Sequence, residues 1–283
     1  MKEIFFNNIG LTCNFAEAFF NGDNKEEPMR VMTLLVSVAA LGWFVGGCEK
    51  GKPQAPAEQT ETTVKQESGK ETAMGLTLKW LGHASFRISD ANTVIYIDPW
   101  KLKDSPHDAN IVLVSHSHQD HYSPDDIAKV SGTETKLVGS TDVIAQERVG
   151  QAIVPGMTLV LGGVRLKGVA AYNPSKQFHP KAKQWVGFVI EVGSKRIYYA
   201  GDTDLTDEMK ALKDIDVALL PVGGTYTMNA EEAAGAARDI KPKLAVPYHY
   251  GDIVGGEMDA EKFKQDAACE VRILKSGESL SVK

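Results

Sequence analysis

The chain has 283 residues, 43% of them hydrophobic, which is enough for one sizeable core or for one domain with an appendage. Its net charge of -6 carries no basic excess, so composition argues against a nucleic-acid partner. The three cysteines, Cys13, Cys48 and Cys269, lie far apart and match no zinc, redox or disulfide spacing.

Residues 1–28 mix Phe, Asn and acidic residues and end in the polar run Asn24-Lys25-Glu26-Glu27. They are expected to be an extension without its own fold, from a misassigned start, with Met29 as the true one. Residues 29–48 read as a secretory signal: Met29-Arg30, then the apolar run Val31 to Val45, then small residues and a cysteine. That run is too short for a comfortable membrane span. Val45-Gly46-Gly47-Cys48 resembles a bacterial lipobox. The resemblance implies a lipid on Cys48, a mature N-terminus there, and a protein anchored to a membrane of the cell envelope, outside the cytoplasmic membrane. Residues 49–75 are Lys, Glu, Gln, Thr, Pro and Ala with little to bury, and read as a disordered polar tether.

From Leu76 onward the pattern is that of a folded domain, 76–283. Leu76–Trp80, Ala84–Ser89 and Thr93–Asp98 read as a meander of three strands. His83 sits at its first turn and Asp98 ends its third strand; taken alone, a turn histidine and a capping Asp are the commoner readings. Ile111-Val112-Leu113-Val114 is apolar and β-branched, the signature of a strand buried on both faces. It runs into Ser115-His116-Ser117-His118-Gln119-Asp120-His121. A period of two sends His116 and His118 to one side at the strand's end. Ser123-Pro124-Asp125-Asp126 then opens a helix, with a cap, a proline at the first position and acids in the first turn. Three imidazoles and a carboxylate at one strand-to-helix corner suit zinc or a similar divalent ion.

Lys136–Gly139 is predicted as a strand and Asp142–Arg148 as a helix capped by Thr141. Strand pairs are predicted around Gly162-Gly163 and Gly193-Ser194, separated by an irregular loop from Tyr172 to Lys181. Asp202 ends the second pair. A helix follows at Asp207–Lys213, then a strand at Val217–Leu220. Asn229 and Glu232 form a capping-box pattern for a helix at Ala230–Ile240. Leu244–Val246 is predicted as a short strand closed by Pro247-Tyr248-His249-Tyr250, and a helix near Ala260–Ala268 and a final strand pair complete the chain. Residues with ligand character thus recur at strand ends, where α/β architectures build sites.

The H-x-H-x-D-H run after a buried strand, Gly201-Asp202-Thr203 and the late His249 resemble the metallo-β-lactamase-fold hydrolase superfamily. Gly82-His83-Ala84-Ser85-Phe86, Asp98-Pro99 and Tyr199-Ala200-Gly201-Asp202-Thr203-Asp204 resemble its branch of metal-dependent hydrolases related to lactonases and N-acyl-phosphatidylethanolamine phospholipase D. The resemblance implies a four-layer αβ/βα sandwich with two divalent ions, zinc with manganese or iron as alternatives. His116 and His118 match ligands of the first ion, Asp120, His121 and His249 those of the second, and Asp202 the bridge between them. A third histidine is expected for the first ion. His179 is the only imidazole in the Tyr172–Lys181 loop and is assigned to it; Asn173, or an incomplete site, is the alternative. Asp120 would orient the water and relay its proton, His83 would contact substrate or donate a proton, and Asp98 would orient a ligand imidazole. The implied reaction is hydrolysis of an ester, lactone or phosphodiester in a small-molecule substrate. The alternatives are an iron-dependent oxidoreductase on the same fold and a non-catalytic metal-binding envelope protein.

Overall fold

The computed structural model describes residues 75–283. The expectations for residues 1–28, for the signal segment ending at Cys48 and for the tether lie outside the described residues.

The first sheet opens with the expected meander, β1 (Leu76–Gly82), β2 (Ser85–Ser89) and β3 (Val94–Ile97), paired antiparallel. Three parallel strands follow: β4 (Ala109–Val114), β5 (Ser131–Gly139) and β6 (Gln151–Ala152). The second sheet repeats this pattern. Its antiparallel strands are β7 (Thr158–Leu161), β8 (Val164–Ala170), β9 (Val186–Val192) and β10 (Lys195–Tyr199). Its parallel strands are β11 (Val217–Pro221), β12 (Leu244–Tyr248) and β13 (Glu270–Val271). The last strand, β14 (Ser279–Val282), crosses back and pairs with β1. The predicted final strand pair is therefore corrected: β13 and β14 close different sheets, and each needs a partner far away in sequence.

Alternation along β4 explains its two-sided burial. Ile111 and Leu113 face the core between the sheets, while Val112 and Val114 pack under α1 (Pro124–Val130) and α2 (Thr141–Glu147). Between the sheets, Phe86 meets Tyr248 edge-on at 5.6 Å and Tyr199 at 6.2 Å. Each such side chain taken fully from water contributes about 1.5–3 kcal/mol. On the far side, α3 (Asp207–Lys210), α4 (Ala230–Ile240) and α5 (Glu257–Asp266) cover the second sheet. The α4 face buries Ala230, Ala233, Ala234, Ala237 and Ile240, and these small residues at helical spacing let the helix lie close to β11. The layers run helix, sheet, sheet, helix, as expected.

Several helix ends match their sequence signals. Ser123 caps α1 by accepting from the Asp126 amide, and Asn229 and Glu232 form the reciprocal capping box of α4, both bonds 2.9 Å. Thr206 caps α3, which stops at Lys210 rather than Lys213. The α2 cap is corrected: Thr141 is the first helical residue and Ser140 holds the cap position, with its hydroxyl on Asp142 instead of on the helix backbone. The β5 strand begins five residues earlier than predicted, at Ser131, because its exposed polar start, Ser131-Gly132-Thr133-Glu134-Thr135, carries no apolar alternation.

Candidate metal centre

The expected residues converge at the ends of strands. Asp98 follows β3, the His116–His121 run follows β4, Asp202 follows β10 and His249 follows β12. His83 lies in the β1–β2 turn, and His179 comes in on the loop between β8 and β9. Six of the seven histidines meet here, while His107 is exposed on the Ser131 carbonyl. Bonds between the sheets fix the corner. The His249 amide and the Trp80 indole both donate to the His83 carbonyl, at 3.1 and 3.0 Å. The Tyr199 hydroxyl reaches Asp98 at 2.5 Å.

Two clusters share one carboxylate. His116, His118 and His179 offer ligand atoms that all lie within 4.8 Å of one another, as do those of Asp120, His121, His249 and His83. Asp202 stands between the clusters. Its Oδ2 is 3.4 Å from His179 Nε2 and 3.1 Å from His249 Nε2, and its Oδ1 is 3.1 Å from His121 Nε2. His121 Nε2, His179 Nε2, His249 Nε2 and Asp202 Oδ1 are buried and lie at ion-pair distance without a well-aligned hydrogen bond. A buried polar atom without a hydrogen bond costs about 1–3 kcal/mol, so four in one place need something to bind. Imidazole nitrogens and carboxylate oxygens aimed at common points are a donor set that fits divalent ions.

The family description "Beta-lactamase superfamily domain" matches residues 77–249. A UPF0173 metal-dependent hydrolase of Symbiobacterium thermophilum is 34% identical over 231 residues, covering 73% of this chain and all of the relative. The chain belongs to the metallo-β-lactamase superfamily, in the UPF0173 metal-dependent hydrolase family. A crystal structure from Parabacteroides distasonis is similar at TM-score 0.64 and 31% identity, covering 72% of this chain and 94% of that one. Igni18, a metallo hydrolase from Ignicoccus hospitalis, is similar at TM-score 0.62 and 26% identity, covering 74% and 98%.

In this metal-dependent hydrolase the charges are set by burial against neighbours. Burial pushes His116 well below and His118 below the ordinary histidine range, with His121 and His179 adding to it. Burial also disfavours a charge on His121 and His249, but Asp202 and Asp120 outweigh it; His121 is held well above the usual range and His249 at about 9. Burial would raise Asp202 and Asp120, but the facing imidazoles hold both far down. The metal-free centre therefore keeps protons on His121 and His249 that a metal ion must displace.

Supporting residues fix the imidazoles. Asp98 is fully buried and accepts from His121 Nδ1 at 2.7 Å, from the Ser115 amide at 2.7 Å and from the Ser115 hydroxyl at 2.5 Å. The same hydroxyl lies 2.9 Å from His116 Nδ1, so Asp98 orients one histidine in each cluster. The Asn173 amide is engaged in hydrogen bonds at both ends. Its Oδ1 accepts from His179 Nδ1 at 2.8 Å and from the His179 amide at 3.0 Å, and its Nδ2 donates to the Tyr226 carbonyl at 3.0 Å. His179 thereby presents Nε2 to His116 and His118. The ring of Trp185 lies 4.8 Å from that of His116, 4.7 Å from His118 and 5.6 Å from His179, with its indole N–H on Asp142. Sequence reasoning gave no role to Trp185, Ser115 or Tyr199; Ser115 stands beside His116 and Tyr199 in the stretch around Asp202, while Trp185 carried no local signal. His83, Asp98 and His249 have φ of 47°, 44° and 62°, a left-handed backbone that non-glycine residues adopt at a cost and that gathers at functional sites.

Proposed function

We propose that this hydrolase cleaves an ester, lactone or phosphodiester with two divalent ions, zinc or manganese. His116, His118 and His179 would hold the first ion, Asp120, His121 and His249 the second, and Asp202 both. The ions, when bound, would supply hydroxide at neutral pH and polarise the scissile group. The observation that carries the reading is Asp202 Oδ2, buried and within 3.4 Å of imidazole nitrogens from both clusters.

The chain's own residues supply the rest. The Asp120 side chain is 16% exposed against 3% for Asp202, so it stands at the open side of the centre. From there it would accept a hydrogen bond from the attacking water and relay its proton. His83 donates from Nε2 to Asp120 Oδ2 at 2.9 Å. Burial lowers the His83 pKa and keeps the ring neutral, so it holds Asp120 in place without adding charge. His83 acts through Asp120 in this reading.

The test is turnover of chromogenic phosphodiesters, lactones and esters beside elemental analysis of protein purified without added metal. Asp120→Asn should cost about 100-fold or more in kcat while most metal is retained. Asp202→Ala should lose metal and activity together. Variants that keep full metal and full rate would remove the mechanism, and iron with no hydrolysis would favour oxidative chemistry.

A further inference from the structure

The helices on the first sheet, α1 and α2, pack over β4, β5 and β6. Beside them a cleft of about 540 Å³ runs along the outer side of β1 and β2. Its upper end is made by the loops of the metal centre. Gly82 and His83 come from the β1–β2 turn, Trp100 and Lys101 from the segment after Asp98, and Asp252 from the segment after His249. Lys101 and Asp252 are tied at 3.0 Å. The Trp100 ring lies 5.2 Å from that of His83, which in turn holds Asp120. The cleft thus ends one side chain away from the proposed water-orienting carboxylate.

Its lower end carries an unbalanced charge. Lys79, Arg87 and Tyr96 form one cross-strand row on the outer face, with Lys79 directly opposite Arg87. Like charges in that relation destabilise a sheet. Asp108, just before β4, is taken: Arg87 donates to its Oδ2 at 2.9 Å and the Tyr96 hydroxyl to its Oδ1 at 2.9 Å. Lys79 is half-buried and has no hydrogen bond or ion pair among the described residues. An anion at this point would give Lys79 the partner that the described residues do not supply. The walls between the two ends include Leu81 and Leu102, which offer contact to an apolar chain, beside Lys103, Asp104 and a Trp100 ring with the Lys101 ammonium 4.0 Å from its centre.

We propose that this cleft binds the tail of the substrate, an apolar chain ending in an anionic group that Lys79 holds. Strand geometry puts Lys79 about 10 Å from Gly82, the length of a medium-chain tail. Where the reacting group lies rests on the hydrolase reading; the anion site at Lys79 does not.

Calorimetric titration of the metal-loaded protein with octanedioate and octanoate tests it. The dicarboxylate should bind at least tenfold tighter than the monocarboxylate. Lys79→Gln and Lys79→Glu should both bring that ratio close to one. Turnover of phosphodiesters, lactones and esters by the wild type is measured beside it. No discrimination by the wild type, or discrimination kept in Lys79→Gln, would overturn the proposal. Discrimination with no turnover of any phosphodiester, lactone or ester by the wild type would leave the anion site standing and remove the hydrolase reading instead.

Discussion

Asn173 and His179 show how two residues of similar polarity take different parts. The carboxamide has no basic nitrogen for a metal ion, but its oxygen can accept the Nδ1 proton and so leave Nε2 free. Both bonds to His179 come from one Asn173 oxygen, and Tyr226 holds the other end of the amide. Asn173→Ala frees the ring to rotate. It should weaken binding of the first ion about 10–100-fold, as loss of an outer partner does, and cost about 1 kcal/mol of stability. Metal content and melting temperature measure the two effects separately; a variant with unaltered affinity would leave Asn173 as a loop tie only. The cluster of candidate ligands was legible in the sequence because imidazole and carboxylate recur at short, regular spacing after a buried strand. The choice between His179 and Asn173 was not, because it depends on how the irregular loop folds back. Trp185 and Tyr199 were also beyond reach, since their contacts are made across elements distant in sequence.

Elements place these groups by ending where they do. The β4, β10 and β12 strands all deliver their ligands at their C-terminal ends, and apolar runs bounded by turns made those ends readable. The segment after β11 adds a constraint that no pattern signals. A Cβ on Gly223 would stand 2.3 Å from the His249 carbonyl oxygen and 2.6 Å from Val254 Cγ2, so the two strand ends can approach only with glycine there. Gly223→Ala should push the His249 backbone away, cost about 1–3 kcal/mol and deplete the second ion before the first. Thermal unfolding with and without a chelator checks this. An alanine variant with the wild-type metal content would show that Val254 and the His249 carbonyl yield without moving the ring. The polar start of β5 escaped prediction because it shows no alternation, and the closing strands were expected but not their partners, since β13 pairs with β12 and β14 with β1.

At the scale of the molecule, each sheet is an antiparallel set followed by three parallel strands, and β14 and β7 take matching edges beside β1 and β8. Asp98 and Asp202 stand at corresponding points, after the last antiparallel strand of each sheet. One became a buried hub for imidazoles and the other the carboxylate between the clusters. The four-layer architecture was legible from the order of strands and helices together with the family resemblance; the crossing of β14 was not. The domain reading extends to the N-terminus only as a proposal: Val31 to Cys48 would lead to a lipid anchor, with the segment up to the domain as its tether. Cys48→Ser should move the protein from the membrane to the soluble fraction, and unchanged membrane fractionation with no lipid on Cys48 would sink that reading.

The central claim is that Asp202 stands between two metal ions held by this chain's histidines and Asp120. An anomalous-difference map answers it most directly, from crystals of protein purified without added metal, at the absorption edge of the element found in them. Two peaks about 3.5–4 Å apart are predicted, one among His116, His118 and His179 and the other among Asp120, His121 and His249, with the Asp202 carboxylate between them. A single peak confined to one cluster, or no peak with Asp202 hydrogen-bonded to protonated His121 and His249, would contradict it.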